Sequence, residues 1–136
     1  TTVIAITGAT LGQVSYLEID SCANQSVVGV IPHNNRAYEW TYLTFTEHID
    51  RLISRQTGGA QQHINKNDVL DFDVVHPTEA LIARFSDIAS PLFARIGVAV
   101  RENLILSELR DTLLPKLISG ELRIPDAEKF LEEAGI

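Results

Sequence analysis

The chain has 136 residues, 45% of them hydrophobic and 21% charged, a balance that belongs to folded globular proteins rather than disordered ones. A formal net charge of −7 argues against strong nonspecific nucleic-acid binding by this chain alone, because attraction to phosphates needs an excess of cations. One cysteine, Cys22, excludes an internal disulfide framework and fits a reducing, cytoplasmic compartment. With no secretory leader and no apolar run near bilayer-spanning length, no membrane partner is expected.

Methionine is absent, and Thr1 and Thr2 already stand at the edge of a strand-like run, so a piece of a longer protein is expected. VIAIT (3–7) is a short strand closed by the turn-like GATLG. QVSYLEI (13–19) alternates poorly but has strand content, and NQSVVGVIP (24–32) is a β-rich run ended by Pro32 and the polar turn HNNR. In residues 37–56, Trp40, Leu43, Ile49, Leu52 and Ile53 fall at helical spacing. TGGAQQHINKND is a loop by composition. VLDFDVVHP (69–77) alternates Leu70, Phe72 and Val74 before Pro77, which predicts a further strand.

From Thr78 the pattern changes. Leu81, Phe85, Ile88, Leu92, Ile96, Ala99, Leu106, Leu109, Leu113 and Leu117 recur in steps of mostly three and four, predicting a long coiled-coil-like helix with one apolar stripe. At 1.5 Å per residue it would be about 60 Å long, too long to bury that stripe against so small a globule, so a partner helix is expected. Pro91 predicts a kink or break near Ser90, Pro115 bends the last turn, and Gly120 supplies the stop. The tail PDAEKFLEEAG (125–135) predicts a short terminal helix. The fold class is therefore α+β, a mixed domain over 1–77, a long helix over 78–120 and a helical tail over 121–136.

No catalytic constellation is visible. His33, His48, His63 and His76 are scattered without metal-ligand spacing, so neither a metal nor another cofactor is expected. Asp71 and Asp73 share one side of the predicted strand, where solvation of an edge explains them better than a carboxylate pair. No phosphate-cradling or dinucleotide-binding glycine loop occurs. Cys22, without a basic or histidine neighbour, reads as a small core residue.

Three stretches, ITGATLG with CANQSVVGVIP (6–12 and 22–32), TGGAQQHINKNDVLDFDVVHP (57–77) and ENLILSELRDTLLPKLISGEL (102–122), together resemble the specificity subunit of type I restriction-modification enzymes. The resemblance implies a non-catalytic subunit whose two target-recognition domains each read half of a split site in double-stranded DNA. Two long antiparallel helices join those domains and dock the methyltransferase subunits, and the motor-nuclease subunit joins the same assembly. Residues 1–77 would be the latter part of one recognition domain, and 78–120 one spacer helix.

On that reading Leu92, Ile96, Leu106, Leu109, Leu113 and Leu117 form the seam with a partner, Arg110 makes rim contacts and Pro115 angles the helix end. A homodimer through the exposed stripe is a further expectation. Base edges are read by hydrogen-bonding side chains on loops. RQTGGAQQHINK (55–66) concentrates them as Arg55, Gln61, Gln62, His63, Asn65 and Lys66, with Thr7, Thr10 and Gln13 as a second candidate surface. The alternative is a helical dimerisation or assembly module that does not read DNA.

Overall fold

The computed structural model describes residues 1–54 and 63–135. They form two compact units, Thr1–Phe93 and Ala94–Ile136. The first contains strands β1 (Thr2–Ala5), β2 (Val14–Tyr16) and β3 (Val27–Val30), helices α1 (Tyr38–Ser54) and α2 (Lys66–Leu70), and the start of α3 (Glu79–Ser119). The second contains the rest of α3 and α4 (Ile124–Ala134). The α+β class expected from the sequence is the one observed.

β1 is central in a three-stranded antiparallel sheet of order β2-β1-β3, with Ile4 opposite Val14 on one side and Val28 on the other. Side chains alternate along a strand, so Thr2, Ile4 and Ile6 enter one face together, and all three are buried. Helix α1 covers that face. Leu52 packs with Ile4, Ile6, Ile64, Val69 and Phe72, and Phe45, Ile49 and Ile53 close around them. Of the apolar residues placed on the α1 stripe from sequence, Leu43 is instead exposed.

The strand expected over 69–77 does not form. Lys66–Leu70 is a turn of helix, and residues 72–78 carry no regular structure. The cause is local: Asn65 Oδ1 accepts the Asp68 amide at 3.0 Å while Asp68 Oδ2 accepts the Asn65 amide at 2.7 Å, a reciprocal capping box. Asp71 follows as the residue capping the helix C-terminus, so the strand face that Asp71 and Asp73 were expected to share does not exist. Cys22 is a second correction. It lies in the irregular stretch between β2 and β3 and is exposed rather than buried.

α3 runs unbroken through both prolines, so the break expected near Ser90 does not occur. Pro91 lacks the amide that would reach the Asp87 carbonyl. Ala89 before it is buried, and Phe93 after it stacks edge-on against Tyr16 and Tyr42, so packing holds the helix on both sides of the defect. Gly120 ends α3 at φ 76°, where its amide reaches the Leu117 carbonyl and that of Leu122 reaches Lys116. Pro125 sits in the first turn of α4, and Gly135 closes it at φ 73°. Among the described residues no helix is long and apolar enough to cross a membrane.

Candidate nucleic-acid interface

The turn between β1 and β2 is built on two glycines. Gly8 at φ 79° opens a single 3-10 turn over Gly8–Thr10, and Gly12 at φ 82° returns the chain to β2. The Gly12 amide donates to the Ala5 carbonyl at 2.8 Å, and the Ala5 amide donates to Gln13 at 2.9 Å, so the mouth of the hairpin is pinned. Thr7 is half-buried, and Thr10 and Gln13 are exposed.

The second polar segment joins the same edge. The Ile64 amide donates to the Ile6 carbonyl at 2.9 Å, and both side chains are in the core. Burying Ile64 turns its neighbours His63 and Asn65 outward, where both are exposed together with Lys66. One backbone bond thus brings Thr7, adjacent to Ile6, beside the residues flanking Ile64. The described residues of the two candidate surfaces flank one edge of the unit. Arg55, Gln61 and Gln62 lie outside the described residues.

Asn65 differs from the others because its side-chain oxygen is committed to the cap of α2. Of the described candidate residues, that leaves Thr10, Gln13, His63 and Lys66 with exposed and uncommitted polar side chains. They supply hydroxyl, carboxamide, imidazole and ammonium groups, the set that hydrogen-bonds base edges and phosphates.

A cleft of about 450 Å³ lies along the outer face of α1, lined by Trp40, Thr44, His48 and Arg51 with Asp73, Val74 and Val75 opposite. Trp40 meets His76 edge-on at 5.3 Å, and the Arg51 guanidinium lies 5.5 Å from the centre of the Phe72 ring. The sequence places Trp40 among the apolar residues of α1 and gives Thr44, His48 and Arg51 no binding role, although positions 40, 44, 48 and 51 fall on one side of a helix. Among the described residues no cluster of three or more histidine, cysteine or acidic side chains is placed to hold a metal.

Along α3, Leu92, Ile96 and Leu106 are exposed at 59%, 57% and 53%, whereas Leu109, Leu113 and Leu117 are half-buried. Pro115 is exposed. Arg110 donates to its neighbour Asp111 at 2.7 Å, which raises the guanidinium pKa and lowers that of the carboxyl; both side chains are exposed.

The chain belongs to the family of type I restriction modification DNA specificity domains, whose model matches residues 1–80. It is 29% identical over 119 residues to the HindI type I restriction enzyme specificity subunit of Haemophilus influenzae, covering 84% of this chain and 26% of that protein. It is 24% identical over 92 residues to the MjaIX specificity subunit of Methanocaldococcus jannaschii, covering 68% of this chain and 21% of that protein. The aligned part thus spans about a quarter of the first relative's length and a fifth of the second's. No solved structure gives a significant match.

Proposed function

We propose that this chain is a non-catalytic DNA-recognition part of a type I restriction-modification specificity subunit. It reads half of a bipartite site at the Thr7–Gln13 and His63–Lys66 edge and docks the methyltransferase subunit through α3. The family assignment supports the first half of this reading. The observation that carries the choice of surface is the Ile64–Ile6 hydrogen bond, which sets two polar segments side by side on a buried apolar base. Bases are contacted by Thr10, Gln13 and His63, and Lys66 contacts a phosphate. Arg55, Gln61 and Gln62 belong to the same reading on sequence grounds, Thr7 lies at its margin, and Asn65 holds the segment's end.

The net charge of −7 fits a domain that contributes base contacts within an assembly whose other subunits supply phosphate contacts. The chain alone then binds DNA weakly at physiological salt, and a tight, sequence-specific complex formed by it alone refutes this part. The motor-nuclease subunit joins the same assembly, in the cytoplasm. The apolar face of α3 also supports a second reading, pairing of two copies through the helix without any DNA reading.

The test is a methylation assay with the complex reconstituted around this chain, in which the modified sequence is mapped. His63→Ala and Gln13→Ala should relax or change the sequence methylated, whereas Lys66→Ala should weaken methylation about equally at all sequences and flatten its salt dependence. An unaltered sequence preference in all three variants favours the assembly reading. Co-elution of the chain with the methyltransferase subunit, lost in Leu113→Glu and Leu117→Glu, tests the docking face.

A further inference from the structure

Two faces of α3 compete for the recognition unit, and the less apolar one is buried. Ile82, Ser86 and Ala89 pack inward at 1%, 7% and 6% exposure, and Phe93 completes that row in the aromatic cluster with Tyr16 and Tyr42. Leu81, Ile88 and Leu92 stand free at 57%, 71% and 59%. With 3.6 residues per turn the two rows lie nearly a third of a turn apart. The hydrophobic effect alone favours the opposite arrangement, since every member of the free row is a large aliphatic side chain whereas the packed row sets a serine and an alanine between Ile82 and Phe93.

A buried carboxylate lies against the packed row. Glu39, in the first turn of α1, is only 8% exposed. Its Oε1 accepts the Ser90 hydroxyl at 3.0 Å, and Ser90 Oγ lies 3.1 Å from Ser86 Oγ. Tyr16 on β2 also hydrogen-bonds Glu39; burial first, and then the charges of Glu39 and Glu18, push its phenol up to about 12. A rotation of that size would bring an aliphatic side chain to Glu39 and remove the Ser90 donor, and a buried charge left short of donors is strongly disfavoured.

We infer that Glu39 pins the rotation of α3: its need for the Ser90 hydroxyl selects the face that the unit buries and leaves Leu81, Ile88 and Leu92 uncovered. Arg36–Asp87 and Asn34–Glu79 bonds fasten the same stretch from the loop before α1, but both are exposed, and the ion pair is weakened by salt. The pin acts on rotation within the first unit. Only its consequence, an apolar face kept free for docking, rests on the functional reading above.

Thiol labelling at high salt separates the faces. In a Cys22→Ser background, Ile88→Cys should react with a maleimide at least about tenfold faster than Ala89→Cys, because the first site is open and the second requires local opening. Adding Glu39→Leu with Ser90→Ala should collapse that ratio toward or below one while the protein still melts cooperatively. A ratio that persists without the network overturns the inference and assigns the choice of face to the close fit of small side chains. If the double change abolishes the cooperative melt, Ser90→Ala alone carries the test: a roughly threefold fall supports the pin, and no change overturns it. Methyltransferase binding plays no part in this readout, so a failure of the docking proposal leaves the labelling result intact.

Discussion

Alanine at Gly12 and at Gly8 should separate backbone strain from crowding in the turn that presents Thr10. Both glycines have φ near +80°, a region that places the Cβ of an L-residue against its own backbone at about 1–2 kcal/mol. At Gly8 an added Cβ meets nothing within 4 Å, so Gly8→Ala should lose that strain and no more. At Gly12 the same Cβ would overlap Ile53 Cδ1 and touch Ile53 Cγ1 and Ile49 Cγ1 at 3.4 Å. Ile53 packs against the core, and forcing it aside adds about 1–3 kcal/mol.

Gly12→Ala should therefore destabilise by about 2–5 kcal/mol, roughly twice the effect of Gly8→Ala or more. Urea unfolding of the two variants measures the difference. A cycle with Ile53→Val, which deletes the offending Cδ1, isolates the crowding: the double variant should be at least about 1 kcal/mol more stable than the sum of the single effects predicts. Equal losses at the two glycines, or strict additivity in the cycle, would refute the argument that α1 presses on this turn. Because the Gly12 amide closes the mouth of the hairpin, a loosened Gly12→Ala turn should also blur sequence preference in the methylation assay before it lowers total methylation.

Thr2 is fully buried and its hydroxyl has no hydrogen-bond partner among the described residues, so isosteric Thr2→Val should raise stability by about 1–2 kcal/mol in the same denaturation experiment; no gain would show that the hydroxyl is satisfied. Asn65→Ala removes one half of the capping box and should cost about 1 kcal/mol, with faster amide exchange in Lys66–Leu70 as the local sign. Tyr16 holds its proton more tightly in the fold than its ordinary value of 10, up to about 12, so the folded state binds more protons across that interval. Stability from the neutral phenol is thus complete below pH 10 and is lost as pH rises toward 12. Melting temperature followed over that range should fall more steeply in the wild type than in Tyr16→Phe, and parallel curves would contradict the shift.

Much of this protein is legible in local pattern, because strands, helices and their ends are set by neighbours in sequence. β-branched content located β1 and β3, helical spacing located α1 and the long α3, and Gly120 marked the end of that helix by the positive φ that glycine alone adopts cheaply. The family, too, was visible in the sequence motifs, and its model matches residues 1–80. Residues 69–77 are also decided locally: Leu70, Phe72 and Val74 alternate as a strand would, but Asn65 and Asp68 stand at capping-box spacing and start a helical turn instead.

Other features depend on contacts between distant residues, which spacing does not encode. The exposure of Cys22 follows from where the segment between β2 and β3 lies in the fold. Thr7 and His63 are brought to one edge because the Ile6 carbonyl takes the Ile64 amide across 57 intervening positions, a long-range backbone bond that leaves no periodic trace. Periodicity established that α3 has an apolar stripe, but that stripe was not the face its own unit buries. Ser86 and Ala89 turn inward instead, and the carboxylate of Glu39, 51 residues before Ser90, accepts the Ser90 hydroxyl beside them. Local sequence determines that a helix forms and where it ends; packing and hydrogen-bond satisfaction in three dimensions decide which of its sides meets the core.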